Sequence, residues 1–449
     1  MSFNRRTFIK SASLAAAGSA AGLRPFGALN ALAQSATDYK ALVCIYLFGG
    51  NDGNNTLVQF DTKGYANYSS IRGPLAIPQS KLLQLSAAPT FAVHPNLPDI
   101  QTLFDNKAAA FVANVGTLIE PTNRSQYLAS QFNGNGLPSN LFSHPDQRLE
   151  WENAAPSMAT PTGWAGRIAD TLNVTYNANG NFPMVTSVAG DTLFCDGNHT
   201  SPVSVTPGSV GAGQCSEGSE CAARQATAQA LLGFDSGITL VQADNSITTK
   251  GYAYAKALSD AVQSVSPLKT VFPANNGLAA QLKQIAQIIQ VRSALGVNRQ
   301  IFFAGIGNFD THFNQLDLQS GLLATISSAL GAFYQATQEL GVQNNVTSFT
   351  MSDFGRAFQP NSAAGSDHAW GSHHIVLGGA VKGGKMYGTF PTLALGGPDD
   401  SGSNGRWVPS TASIQYAATL AQWFGVSAAQ LPTIFPNIGN FSTTNLGFV

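Results

Sequence analysis

The stretch from Ser352 to His374, SDFGRAFQPNSAAGSDHAWGSHH, holds three of the seven histidines of the chain, His368, His373 and His374. Asp353, Asp367 and Arg356 lie in the same segment, although only 10% of the 449 residues are charged. More groups of the same kind close other apolar runs. CIYLFGGNDGNN presents Asp52, Asn54 and Asn55, and FFAGIGNFDTHFNQ presents Asp310 and His312. Clustered carboxylates repel one another and resist desolvation, so they coexist only with a cation or with shifted protonation. Imidazoles in the same set favour zinc or a transition metal over calcium. The plainer alternative is that each aspartate caps a turn or helix after its strand. His373 and His374 open an apolar run, and strand alternation turns only one of them toward such a site.

A nucleophile candidate follows another apolar run, FVANVGT. In LPSNLFSHPDQRLEW, Ser143 precedes His144, Pro145 and a predicted helix. A serine there sits where backbone amides and the helix dipole favour a phosphate or sulfate, and a nearby metal lowers the pKa of its hydroxyl. The same position suits a plain N-cap. Thr122 in EPTNR is the second candidate and Thr117 the third. His94 in VHPNLPDIQTLF opens a predicted helix and suits a core or capping role, and His199 carries no pattern.

These groups need elements to position them. Near-continuous apolar runs at 40–48, 109–115, 182–188, 299–306, 346–352 and 373–379 predict strands buried on both faces. Helical spacing of apolar residues covers 276–296, 316–341 (ending on Gly341 as a cap) and 411–425. This alternation predicts a three-layer α/β/α fold around a mostly parallel sheet. Ligands of open α/β sheets bind beyond the C-terminal ends of the strands, so Asp52, Asp310 and Asp353 are expected to meet there. The segment 189–250, rich in Gly, Ser, Thr and Asp, reads as a polar insertion within a single domain over 34–449.

Composition adds limits. A hydrophobic content of 44% suits a large core, and a net charge of -1 without a basic run beyond the N-terminus argues against nucleic acid. NRRTFIK, the weakly apolar SASLAAAGSAAGL and the small-x-small ALA ending at Ala33 read as a twin-arginine export signal over 1–33. Its partner would be the twin-arginine translocase, and the mature protein would be periplasmic or secreted, with no membrane span. Loss of that segment leaves 19 basic and 24 acidic residues, a formal charge of -5. In an oxidising compartment Cys215 and Cys221 suit a short disulfide, with Cys195 a competing partner and Cys44 a buried thiol.

Together LFGGNDGNNTLV, FDTHFNQ, SDFGRAFQPN, GSDHAWGSHHIVLGGAVKGG and LFSHPDQ resemble the exported family known as domain of unknown function 1501, from Tyr39 to about Phe424. That family is grouped with the alkaline phosphatase and sulfatase superfamily. The resemblance implies an alkaline phosphatase-like fold and usually two divalent ions, zinc foremost, with manganese, iron or calcium as alternatives. It implies Asp52, Asp310, His312, Asp353 and His368 as metal ligands and Ser143 as nucleophile, and Arg356 beside them suits a clamp on a nonbridging oxygen. The substrate would be a small-molecule or polymeric phosphate or sulfate ester. This chain departs from the superfamily at Asp353-Phe354-Gly355, where an Asp-His-Gly motif is expected, and in the two-residue spacing of Asp310 and His312. Asp367, His144 or His374 would fill the gap, or one ion binds. No cysteine lies in a C-x-P-x-R context, which excludes the formylglycine type of sulfatase. The missing imidazole also suits a degenerate relative that binds a metal or an envelope partner without turnover, and the polar insertion suits an assembly factor.

Overall fold

The computed structural model describes residues 38–131, 134–156, 160–208, 219–235 and 237–449. The export-signal segment 1–33 and Cys215 lie outside the described residues. The strands are β1 (Lys40–Leu47), β2 (Leu57–Gln59), β3 (Leu83–Gln84), β4 (Phe91–Val93), β5 (Ala109–Gly116), β6 (Val185–Ser187), β7 (Val203–Ser204), β8 (Arg299–Ile306), β9 (Val346–Ser352), β10 (Ser372–Leu377), β11 (Met386–Tyr387) and β12 (Thr411–Ala412). The helices are α1 (Gly53–Thr56), α2 (Thr62–Arg72), α3 (Pro98–Asp105), α4 (Arg124–Ser130), α5 (His144–Asn153), α6 (Trp164–Tyr176), α7 (Ser219–Leu232), α8 (Thr239–Gln263), α9 (Gly277–Gln290), α10 (Gln315–Glu339), α11 (Ser413–Phe424) and α12 (Leu431–Ile434).

Nine strands make one sheet in the order β11-β5-β10-β9-β1-β8-β6-β7, with β12 beside β5. β10 runs antiparallel to β5 and β9, and the other pairings are parallel. A small antiparallel sheet, β2-β4-β3, stands apart. The predicted strands form where they were expected because the central ones are buried on both faces. Leu42, Cys44 and Tyr46 of β1 pack with Trp164 and Ile168 of α6 and with Tyr416, Leu420 and Phe424 of α11. α9 packs on β8 and against α10 and buries Leu282, Ile285 and Ile289. Each such side chain contributes roughly 1.5–3 kcal/mol by leaving water. Gly341, at φ 65°, follows the end of α10 in the left-handed conformation expected of a cap.

Register decides what the sheet presents. Leu47 pairs with Ile306 of β8 and with Ser352 of β9, so β1, β8 and β9 end at one level. The loops carrying Asp52, Asp310 with His312, and Asp353 therefore leave the same edge. β10 runs the other way and begins there, which brings His368 to that edge from its N-terminal side.

Cys44 and Cys195 are buried free thiols, and Cys221 is disulfide-bonded. Among the described residues no helix is long and apolar enough to cross a membrane.

Candidate metal centre

At this edge four side-chain donors face one another. The His144 Nε2 atom lies 3.1 Å from His368 Nε2 and 3.4 Å from Asp310 Oδ1. His312 Nε2 lies 2.9 Å from His368 Nε2 and 3.0 Å from Asp310 Oδ1. His368 Nε2 lies 3.2 Å from the same oxygen. One donor atom each of His144, Asp310 and His368 lie within 4.8 Å of one another. His144 opens α5, Asp310 and His312 follow β8, and His368 precedes β10 in a backbone bridge to Arg356.

The far side of each ring fixes which nitrogen faces inward. His144 Nδ1 is 2.7 Å from Asp353 Oδ2, and His368 Nδ1 is 2.8 Å from the Phe142 carbonyl. A carbonyl only accepts, so His368 carries its proton on Nδ1. The Asp353 carboxylate likewise holds the His144 proton on Nδ1. Both Nε2 atoms of the neutral rings then present lone pairs, and at 3.1 Å these repel unless a cation or proton lies between them. His312 Nδ1 sits 3.5 Å from Asp367 Oδ1, a longer approach of the same kind. Imidazoles backed by carboxylate or carbonyl, with an added carboxylate oxygen, form the donor set of a zinc or transition-metal site. The residues present fit such an ion.

The electrostatics agree. The hydrogen bond that His144 donates to Asp353 raises its pKa above the ordinary value against the opposing pull of burial, whereas burial lowers that of His368. Burial pushes Asp310 up, but the Arg356 guanidinium and the imidazoles outweigh it and hold the carboxyl below its usual range. Arg356 donates from Nη2 to Asp310 Oδ1 at 2.8 Å, and its side chain is 0% exposed. It therefore stands behind Asp310 instead of facing solvent, the place expected of a clamp on substrate. Phe354, at the position of the missing imidazole, lays its ring 4.6 Å from those of both His144 and His368. Two glycines permit this packing: a Cβ on Gly50 would meet the Phe354 ring at 2.6 Å, and one on Gly49 would meet Asp310 N at 2.5 Å. Phe142 holds φ 73°, a left-handed value costly for a bulky residue, in the loop that supplies the carbonyl to His368.

Asp310, His312, His368, Asp353, Asp367 and His144 thus come together. Asp353 meets the cluster through His144, while its Oδ1 is buried without a partner among the described residues. Asp52 is not brought in. Its Oδ1 accepts from Asn54 N at 3.0 Å and Asn54 Nδ2 at 3.1 Å, and its Oδ2 accepts from Arg72 Nη2 and Gln315 Nε2. Asp52 and Arg72 side chains are both 0% exposed, a buried ion pair that also N-caps α1. Asn55 stays out as well, bonded to the Leu75 carbonyl and the Tyr68 hydroxyl. Thr122 donates to the Glu120 carbonyl, and Thr117 to Gln147. His374 lies among Trp151 and Tyr416, His373 stacks on Phe390, and burial pushes both down to about 3. Neither ring of that pair reaches the cluster. His94 is buried and accepts from Asn96 N in the loop ahead of α3, a core role, since the first turn of that helix carries no side-chain cap. Ser143 Oγ donates to Asp146 Oδ2 at 2.5 Å, one residue from His144 and at the head of α5. Sequence reasoning missed Arg72, Gln315 and the Phe142 carbonyl; the first two carry no spacing signal, and a backbone carbonyl leaves none.

Comparison with known proteins gives a family and distant structures. The family model described as "Protein of unknown function (DUF1501)" matches residues 39–401. No curated protein matches the chain. Similar solved structures include the lipoteichoic acid synthase LtaP from Listeria monocytogenes, at 8% identity and TM-score 0.35 over 87% of this chain and 72% of that one. A protein in the alkaline phosphatase superfamily from Vibrio parahaemolyticus is 10% identical at TM-score 0.36, over 87% and 67%. The PsFucS1 sulfatase from Pseudoalteromonas sp. is 9% identical at TM-score 0.32, over 83% and 70%.

Proposed function

We propose that this chain, which belongs to the DUF1501 family, is a metal-dependent hydrolase of phosphate or sulfate esters, exported by residues 1–33 and working as a single domain over 34–449. The observation that carries the reading is the convergence of His144, His312 and His368 Nε2 atoms on Asp310 Oδ1, with Asp353 and the Phe142 carbonyl backing two of the rings. A divalent ion held by His144, His368 and Asp310, with His312 beside them, would supply Lewis-acid polarisation of an ester oxygen and a more acidic hydroxyl.

The chain does the rest. Asp353 orients His144, and Arg356 holds Asp310 in place. Ser143 is the proposed nucleophile: its oxygen would attack phosphorus or sulfur as its proton passes to Asp146 Oδ2, to which it already donates. The P–O or S–O ester bond would break and its oxygen leave as the protonated alcohol. Water would then cleave the seryl ester to release phosphate or sulfate and restore the serine. The N-terminal amides of α5 lie where they favour the anionic group of such an ester. Elemental analysis of untagged protein, with a screen of phosphate and sulfate monoesters, tests this reading. Near-stoichiometric metal that is lost in Asp310→Asn supports it. Folded protein that refuses added metal sinks it.

A second reading is a family member that binds metal or an envelope partner without turnover. The Ser143–Asp146 bond favours it, because the lowered pKa of Asp146 makes that carboxylate a weak base. Ester hydrolysis by the wild-type protein would rule out the second reading, and full hydrolysis by Ser143→Ala would in addition remove Ser143 as the nucleophile of the first.

A further inference from the structure

The number of ions follows from where the buried charges sit. We infer that the cluster takes one divalent ion, and that Arg72 supplies at Asp52 the positive charge that a second ion would bring; the inference rests on the metal-dependent reading above.

Three observations carry it. First, Asp52 has no oxygen left to offer. Both oxygens are engaged by protein donors, and its partner Arg72 is further fixed by bonds from Nη1 to the Ala357 and Phe358 carbonyls at 3.1 and 3.0 Å. Second, the charge closes with one ion. Asp310, Asp353 and Asp367 against Arg356 leave two negative charges with the imidazoles neutral, and the neighbouring Arg148–Glu152 pair at 2.7 Å cancels itself. One divalent ion neutralises that remainder, while a second would add two uncompensated positive charges beside the fully buried Arg356 guanidinium. Third, the position where a second ion's imidazole is expected, beside Asp353, is short of donors. Beside Phe354, which is buried and has no donor atom, Asp353 Oδ1 is a lone unpartnered carboxylate oxygen. Protein sites for divalent ions use three or more protein ligands or lean on substrate and water. Only one group of three or more candidate ligands occurs among the described residues.

The test strips the full mature chain with a chelator, reloads it with excess zinc or manganese, desalts it and measures metal per chain by mass spectrometry. Asp310→Asn, checked for fold by circular dichroism, sets the background. One ion above background, unchanged in Asp52→Asn, is the expected result. Two ions, one of them lost in Asp52→Asn, would overturn the inference and leave the metal-dependent reading intact. None above background would overturn that reading itself, and the inference with it.

Discussion

Asp52→Asn separates a ligand from a structural anion. The substitution keeps the shape of the side chain and removes its charge, so Arg72 is left buried beside a neutral amide. At a contact distance of about 3 Å and an effective dielectric of about 20, the lost attraction is roughly 5 kcal/mol. Breaking one partner of a buried pair costs about 3–5 kcal/mol by measurement elsewhere. The amide also has only one acceptor oxygen for the four donors now shared by the two carboxylate oxygens, from Asn54 N, Asn54 Nδ2, Arg72 and Gln315. A loss near 4 kcal/mol is therefore expected, read as a shift of the urea midpoint at unchanged slope. The double variant Asp52→Asn/Arg72→Met removes the stranded cation and should recover part of that loss. Metal content should stay at the wild-type value in both. If Asp52→Asn loses its metal while the urea midpoint barely moves, Asp52 is a ligand and the ion-pair account is wrong.

Other expectations follow from the same contacts. Asp353→Asn weakens the hold on the His144 proton and should lower metal affinity about 10–100-fold, measured by competition with a chromogenic chelator; unchanged affinity would mean that Asp353 does not orient the ring. Phe142→Pro cannot adopt the φ of 73° and should release His368 and lower metal affinity, whereas Phe142→Gly keeps the carbonyl in place and should retain it. If Phe142→Pro binds as tightly as the wild type, the carbonyl is not holding the ring. Burial holds His373 and His374 at about 3 and His94 at about 4, below the unfolded value of 6.5. The unfolded chain alone takes up those protons as pH falls through 6.5, so stability drops toward acid by up to ~1.4 kcal/mol per pH unit for each ring. Burial pushes Glu150 the other way, to about 8, so its contribution is lost as pH rises from 4.5. The urea midpoint of chelated protein should peak near neutral pH; a flat profile between pH 5 and 6.5 would show that the buried rings are not held neutral.

How much of this was legible depended on whether a feature repeats along the chain. β1, β8 and β9 could be read because burial on both faces leaves each strand of seven or eight residues a near-continuous run of apolar and small hydroxyl residues, broken only by the Lys40 and Arg299-Gln300 at the starts of β1 and β8. The two-residue strands β11 and β12, and the small sheet beside α2, carry no period long enough to see. Asp310, His312, Asp353 and His368 could be read because a parallel sheet sends the loops after its strands to one edge. Asp52 obeys the same rule, and its backbone does reach that edge. What the sequence hides is its partner: Arg72 ends a helix of ordinary polar residues, and nothing in its spacing marks it as a buried cation.

His144 marks the boundary between the two cases. It follows no strand of the parallel set, and beside Ser143 and Pro145 it looks like the start of a helix, which it is. Its place in the cluster comes from tertiary packing, where the Phe354 ring lies against it and the Asp353 carboxylate accepts a hydrogen bond from its Nδ1. The residue that breaks the expected Asp-His-Gly pattern thus sits under an imidazole delivered from elsewhere in the chain. Phe354 lacks a donor, but it fills the space beneath two rings and sets the planes in which their nitrogens point. Replacing it by His would add a nitrogen and remove that support at once. On this geometry Phe354→His should therefore weaken the first ion without creating a second, and a gain to two ions per chain would refute the role assigned to the ring.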